Sequence, residues 1–160
     1  MNILFIEDER ELREGGVSQL ESHGHTVYPV SNLVMARDVM EKPTMLVDLV
    51  IADHSLPDGP GIHFVVDMKA QFPKCLYAIV SGCLTEQDMH ILKTQQIPYY
   101  SKPLLYGKVV EELRQKHLMQ APCRLEPADQ STKSIAAAGE VSTAPTKTEQ
   151  RKKWFNLFRK

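Results

Sequence analysis

Residues 46–53 read Leu-Val-Asp-Leu-Val-Ile-Ala-Asp, and this stretch decides the fold class. The run is short and mostly apolar, which predicts a strand that is buried on both faces of a parallel sheet. Residues 54–61 follow with two prolines and two glycines, and they predict a tight loop. A helix is expected over residues 61–72. Asp53 therefore lies where a buried strand ends.

The same alternation of strand and helix continues on both sides of this stretch. Further strands are predicted at residues 2–6, 26–30, 76–80 and 97–100, and further helices at residues 9–23, 31–42, 85–94 and 104–118. Ser31 is expected to cap the second helix, with Val34 and Val39 facing the core, and Thr85 is expected to cap the fourth, with Asp88 three residues on. Five strands alternating with helices predict an α/β fold in which helices cover both faces of a parallel sheet.

Polar residues that can carry chemistry fall at the ends of these predicted strands. Glu7 and Asp8 follow the first strand, Asp53 ends the third, Ser81 ends the fourth and Lys102 follows the fifth. In open α/β sheets, ligands bind at the carboxyl ends of the strands. We therefore expect these five side chains to converge at one edge of the sheet.

These residue types together are suited to phosphoryl transfer. Three carboxylates at one edge repel each other unless a cation joins them, and oxygen ligands favour a hard ion such as Mg²⁺. Lys102 adds a mobile positive charge, and the hydroxyl of Ser81 can donate a hydrogen bond to an oxyanion. One carboxylate could then attack a phosphoryl group while the cations neutralise its charge.

Four short motifs occur in a fixed order along residues 1–118. They are Glu7-Asp8, then Asp53-x-x-Leu56-Pro57-x-x-x-Gly61, then Ser81-Gly82, and finally Tyr99 placed three residues before Lys102-Pro103. With these motifs, the sequence resembles the receiver domain of two-component response regulators. The resemblance implies a flavodoxin-like (βα)5 fold with strand order 2-1-3-4-5.

The resemblance also implies a role for each site residue. Asp53 would be the phosphoacceptor. The carboxylates of Asp8 and Asp53 and the carbonyl of Ser55 would hold Mg²⁺, and Glu7 would act through a metal-bound water. Lys102 would pair with the phosphoryl group. Two further residues would form the switch: Ser81 would turn inward to a phosphoryl oxygen, and Tyr99 would follow it.

The activity and partners implied are those of a signalling module. We expect no enzymatic activity beyond Mg²⁺-dependent self-phosphorylation and dephosphorylation of Asp53. The phosphoryl donor would be a histidine kinase or a histidine phosphotransfer protein. Phosphorylation would remodel the face formed by helix four, strand five and helix five, where a downstream protein would bind.

Composition and charge argue against DNA as the target and against secretion. The net charge is −1 overall, and residues 1–120 carry 11 basic and 16 acidic side chains, a balance of −5. The 40 residues after residue 120 read as too few for a helix-turn-helix output domain. The N-terminus lacks the pattern of a signal peptide, and no apolar run is long enough to span a membrane. A cytoplasmic protein is expected.

The C-terminal region is predicted to contain a linker and a short motif. Residues 121–150 are rich in Ala, Pro, Ser, Thr and Gly and predict a flexible linker, and residues 151–160 read Arg-Lys-Lys-Trp-Phe-Asn-Leu-Phe-Arg-Lys. If helical, this tail presents Trp154, Phe155, Leu157 and Phe158 on one face. It could dock into a partner protein, lie on an anionic membrane surface, bind a nucleotide or nucleic acid, or fold back on the domain. Two functions stay open: a stand-alone receiver that signals through protein contacts, or a tail-localised adaptor, partner- or membrane-docked, whose receiver is only a switch.

Overall fold

A single parallel sheet organises the described part of the chain. The computed structural model describes residues 1–120. The strands are β1 (Asn2–Ile6), β2 (Thr26–Val30), β3 (Leu49–Asp53), β4 (Ser55–Leu56), β5 (Gly59–Pro60), β6 (Leu76–Ser81) and β7 (Tyr99–Ser101). Five of them form the sheet in the order β2-β1-β3-β6-β7 with all neighbours parallel, which confirms the predicted order 2-1-3-4-5 for the sheet strands. The short antiparallel hairpin of β4 and β5 was not predicted.

Helices cover both faces of this sheet. They are α1 (Arg10–Ser22), α2 (Leu33–Glu41), α3 (Gly61–Gln71), α4 (Glu86–Thr94) and α5 (Tyr106–Gln120). Ile3 and Phe5 of β1 belong to a core cluster with Tyr106 and Val109 of α5. The Phe5 and Tyr106 rings pack edge to face, with their centroids 4.9 Å apart. Leu4 points to the opposite face and is also fully buried. Burial on both faces explains why the strands read as continuous apolar runs, and it confirms the predicted flavodoxin-like α/β class.

The bounds of the central strand differ from the prediction. β3 begins at Leu49 rather than at residue 46, because its pairing with β1 begins at Leu49 opposite Ile3. Leu46 is instead 72% exposed. The strand ends at Asp53, as predicted, and Asp53 is paired with Val80 of β6.

The start of α2 was predicted incorrectly. The N-cap is Asn32 rather than Ser31, and the Asn32 side chain accepts a hydrogen bond from the Met35 N–H at 2.9 Å. Val34, which the prediction placed in the core, is 66% exposed, because it lies five residues before Val39 and therefore about 140° around the helix from it. Val39 is fully buried, as predicted.

The capping of α4 was predicted correctly. The Thr85 hydroxyl accepts from the Asp88 N–H at 3.1 Å, and the Asp88 carboxylate accepts from the Thr85 N–H at 2.9 Å. This reciprocal pair satisfies backbone donors that the first turn leaves free. Within α4, all of which is described, Leu92 is the one buried residue. The hydrogen bonds at the ends of α4 therefore contribute much of what holds this helix in place.

The predictions for the C-terminal region lie outside the described residues. They concern the linker at residues 121–150 and the tail at residues 151–160, with its anchors Trp154, Phe155, Leu157 and Phe158. The adaptor alternative rests on this tail and stays a prediction. Within residues 1–120, none of the helices combines the length and apolar character that crossing a membrane requires.

Candidate functional site

Three carboxylates meet at the carboxyl edge of the sheet. Glu7 and Asp8 follow β1, and Asp53 ends the neighbouring strand β3, whose Ala52 is paired with Ile6. One carboxylate oxygen from each of the three acids lies within 4.8 Å of the others. Glu7 is 1% exposed and Asp53 is 7% exposed, whereas Asp8 is exposed. The parallel register therefore brings together the three acids that the sequence predicted.

Lys102 joins two of these acids. Its backbone N–H donates to the Ser81 carbonyl at 3.0 Å, which continues the pairing of β6 and β7 and fixes where the side chain starts. Its Nζ then donates to Glu7 Oε2 at 2.7 Å and to Asp53 Oδ2 at 3.0 Å. Burial alone would lower the pKa of Lys102, but its bonds to Glu7 and Asp53 outweigh burial and raise it. The lysine is therefore a fixed positive charge at the acidic cluster.

The cluster fits a divalent cation. Burial raises the pKa of Glu7, although the hydrogen bond from Lys102 opposes this. Glu7 Oε1 is buried and has no hydrogen-bond partner, which is a costly state for a carboxylate oxygen. One lysine cannot neutralise three carboxylates, and an all-oxygen ligand set suits Mg²⁺. Glu7, Asp8 and Asp53 are therefore placed to hold this ion.

The loop after Asp53 is held close to the strand end. The His54 N–H donates to the Val80 carbonyl at 3.1 Å, and the Gly61 N–H donates to the His54 carbonyl at 2.8 Å. A Cβ atom at Gly61 would overlap the carbonyl oxygen of Asp53, so only glycine fits at this position. Ser55 is exposed, and its N–H approaches Asp53 Oδ1 at 3.4 Å. The predicted role of its carbonyl as a metal ligand stays a prediction.

Ser81 and Tyr99, the predicted switch residues, lie on the neighbouring strands β6 and β7. Ser81 is 4% exposed, and its hydroxyl donates to the Cys83 carbonyl at 2.8 Å while accepting from the Cys83 N–H at 3.2 Å. The hydroxyl is thus engaged by backbone beyond the strand end. Tyr99 is 36% exposed at the edge of the sheet. The inward movement predicted for both residues stays a prediction.

Two contacts around the site were not predicted from the sequence. Arg13 Nη1 of α1 donates to the carbonyls of Glu7 at 2.6 Å and Asp8 at 2.8 Å. The one available signal was an arginine in the first turns of a helix, where a cation is unfavourable. In addition, His54 Nε2 lies 3.6 Å from Asp88 Oδ2, which connects the residue after Asp53 with the N-terminus of α4. This pair is 34 residues apart along the chain, and no local pattern indicates it.

The comparisons with known proteins agree with this geometry. The family model described as the response regulator receiver domain matches residues 3–114. The chain belongs to the response regulator receiver family. Among curated proteins, it is 33% identical over 114 residues to the KDP operon transcriptional regulatory protein KdpE of Escherichia coli (strain K12). It is 34% identical over 80 residues to the sensor kinase CckA of Brucella abortus (strain 2308).

The receiver is only a part of these two relatives. The matched segment covers 71% of this chain and 49% of KdpE, and 50% of this chain and 8% of CckA. The fold also resembles a CheY-like receiver domain protein from Methanospirillum hungatei JF-1, with a TM-score of 0.67 and 19% identity, over 74% of this chain and 94% of the other. A signal receiver domain from Pseudomonas fluorescens Pf-5 gives a TM-score of 0.66 and 21% identity, over 74% of this chain and 95% of the other. The shared fold is that of a two-component receiver.

Proposed function

We propose that Asp53 accepts a phosphoryl group in a Mg²⁺-dependent reaction and that the resulting aspartyl phosphate is the signal. The observation that carries the proposal is the arrangement around the Asp53 carboxylate. It lies at the end of β3, 3.0 Å from Lys102 Nζ and in one cluster with Glu7 and Asp8. A buried carboxylate with this set of neighbours is suited to covalent phosphoryl transfer.

The chemistry follows from the positions of the side chains. An Asp53 oxygen attacks phosphorus, and an O–P bond forms as the bond from phosphorus to the donor's nitrogen or oxygen breaks. The leaving group keeps the electron pair of that bond. Lys102 already contacts Asp53 and pairs with the charge of the incoming group. Mg²⁺ bound by Glu7, Asp8 and Asp53 would supply further charge neutralisation. Hydrolysis would return the carboxylate and inorganic phosphate, and we propose no other reaction for this domain.

Ser81 and Tyr99 would transmit the modification. To bond a phosphoryl oxygen, the Ser81 hydroxyl has to release its two hydrogen bonds with the Cys83 backbone. Bonds to charged acceptors contribute about 1.5–3 kcal/mol, and neutral ones about 0.5–1.5 kcal/mol each. The exchange is therefore close to balanced, which suits a switch with two populated states. Tyr99, exposed on β7, would move towards the space that Ser81 leaves.

We propose that the signal enters from a histidine kinase or histidine phosphotransfer protein and leaves through protein contacts. The surface made by α4, β7 and α5 is the output face, because Tyr99 lies on it, Ser81 ends the neighbouring strand β6, and α4 has a single buried residue. DNA is a poor target for residues 1–120, whose net charge of −5 opposes the approach of a phosphate backbone. Stable DNA binding by the phosphorylated protein at physiological salt would contradict this part of the proposal.

Labelling with a small phosphodonor tests the proposed function. The full chain should gain one phosphoryl group in Mg²⁺ and none in EDTA. The Asp53→Asn variant should gain none, whereas Asp38→Asn, a change of an exposed acid on α2, should label like the wild type. Labelling of Asp53→Asn at the wild-type level would refute the assignment of the phosphoacceptor.

A further inference from the structure

One arginine on α1 reaches back to the two residues that carry the metal-binding acids. Arg13 Nη1 donates to the backbone carbonyl of Glu7 at 2.6 Å and to that of Asp8 at 2.8 Å. A single guanidinium nitrogen therefore bridges two consecutive peptide units. Both bonds join a charged donor to neutral acceptors, which makes them stronger than ordinary backbone hydrogen bonds.

These two carbonyls lie where the sheet no longer restrains the chain. The pairing of β1 with β2 ends at Ile6 opposite Val30, and its pairing with β3 ends at Ile6 opposite Ala52. The Glu7 N–H still bonds the Val30 carbonyl at 3.1 Å, but the Glu7 and Asp8 carbonyls project beyond the last paired residues. Anchoring a carbonyl restricts the two backbone dihedral angles that flank its peptide unit. It thereby restricts the directions of the Cα–Cβ bonds from which the Glu7 and Asp8 side chains start.

A positive charge at the position of Arg13 is electrostatically unfavourable unless other contacts offset the cost. Arg13 is the fourth residue of α1, near the positive end of the helix dipole, and the N-cap Glu9 makes no side-chain capping bond. Arg10, also in the first turn, points instead to Glu14 at 2.8 Å, and this pair is highly exposed. Arg13 is half-buried and turned in the other direction, onto the loop. Its two carbonyl contacts offset the unfavourable dipole interaction.

We propose that Arg13 is a positioning residue that holds the Glu7-Asp8 loop in the conformation that binds Mg²⁺. The inference rests on the proposed metal site and adds a residue that contacts neither the ion nor the phosphoryl group. Without the Arg13 bridge, the loop after Ile6 has more accessible conformations. Fewer of them place the Glu7 and Asp8 carboxylates beside Asp53.

The charge of Arg13 and its positioning role predict opposite effects on the affinity for Mg²⁺, and the inference can therefore be tested. Arg13 is a cation near a cation site, so its removal should by charge alone tighten Mg²⁺ binding. Loss of loop positioning should weaken it. Loss of groups that orient metal ligands typically costs about 10–100-fold in affinity, and we expect about 10-fold here because Asp8 is exposed.

The experiment is calorimetric titration of the full chain with Mg²⁺, in the absence of any phosphodonor. Arg13→Ala should bind Mg²⁺ about 10-fold more weakly than the wild type. Arg10→Ala removes the same charge from the same helix and should stay within about twofold of the wild type. Arg13→Lys keeps the charge but loses the planar donor group, and it should bind with an intermediate affinity.

The outcomes separate this inference from the proposed function. If the wild type binds Mg²⁺ and Arg13→Ala binds it equally or more tightly, the positioning role is wrong while the metal site stands. If the wild type itself does not bind Mg²⁺, the metal site fails and the inference fails with it. Circular dichroism checks that each variant is folded. Should Arg13→Ala be unfolded, the comparison of Arg13→Lys with the wild type decides, and equal affinities would overturn the inference.

Discussion

Removing the charge of Lys102 should destabilise the domain in a way that depends on pH. In Lys102→Met, an apolar side chain of similar length replaces the ammonium group that lies 2.7 Å from Glu7 Oε2 and 3.0 Å from Asp53 Oδ2. Glu7 is 1% exposed, so its carboxylate would remain buried without its partner. Breaking a buried ion pair by removing one partner costs about 3–5 kcal/mol.

Protonation of Glu7 sets the upper limit on this loss. The pKa of Glu7 is already raised by burial in the presence of Lys102, so Glu7 is the carboxyl that would take up a proton. Holding a carboxyl with an ordinary pKa of about 4.3 in its protonated form at about pH 7 costs about 4 kcal/mol. Lys102 is itself 21% exposed and water reaches the cluster, so we expect a loss of about 2–3 kcal/mol.

The sign of the pH dependence follows from the raised pKa. Between the unfolded and folded pKa values of Glu7, the folded protein binds more protons than the unfolded chain, so acid favours folding. The deficit of Lys102→Met should therefore shrink by up to about 1.4 kcal/mol per pH unit as the pH falls towards about 5. The wild type should change less, because Lys102 already compensates the carboxylate.

Urea denaturation followed by circular dichroism measures this deficit, in EDTA so that no metal is bound. The free energy of unfolding is compared at about pH 7 and about pH 5.5 for the wild type, Lys102→Met and the control Lys108→Met, which changes an exposed lysine on α5. Equal stability of Lys102→Met and the wild type at about pH 7, or a deficit that does not change with pH, would refute the electrostatic account of this site.

Three further changes test how the loops and helices around the site are held. Gly61→Ala should lower the free energy of unfolding by about 2–3 kcal/mol and slow labelling, since its Cβ would overlap the Asp53 carbonyl. The control Gly82→Ala has no atom within 4 Å of its Cβ and should leave the melting temperature nearly unchanged, so equal melting temperatures of the two variants would contradict this. Asp58 accepts from the Leu33 N–H at 3.0 Å and caps α2 from the loop after Asp53, so Asp58→Ala should lose about 1 kcal/mol in urea denaturation, and an unchanged midpoint would argue against the cap. Lys69 of α3 donates to backbone carbonyls at the C-terminus of α4, and Lys69→Met should speed hydrogen exchange there by about two- to threefold, whereas unchanged exchange would show that this bond does not hold the helix.

The sequence predicts the site well where topology alone places the residues. Asp53 ends one strand and Lys102 follows another, and a parallel sheet brings the carboxyl ends of its strands to one edge whatever the details of packing. The buried run before Asp53 was equally informative, because a strand covered on both faces has to be apolar throughout. These features need only the order of the elements.

Features that depend on side-chain direction could not be predicted in this way. Val34 faces solvent because it lies about 140° around α2 from the buried Val39, so the two cannot face the core together. The contact of Asp58 with α2 joins residues 25 positions apart. The bond between Ser81 and the Cys83 backbone depends on the rotamer of a small side chain. Each of these is decided by contacts that exist only after folding.

Locating the acyl phosphate is the most direct test of the proposal that Asp53 receives the signal. The full chain would be treated with a small phosphodonor and Mg²⁺, reduced with borohydride, which converts an aspartyl phosphate to homoserine, and digested for mass spectrometry. The structure predicts homoserine at position 53 and unmodified aspartate or glutamate at Glu7, Asp8 and Asp58. Homoserine at Asp8 or Asp58, or 5-hydroxynorvaline at Glu7, with Asp53 unmodified, or a phosphoryl group that resists reduction on a hydroxyl such as that of Ser81, would contradict it.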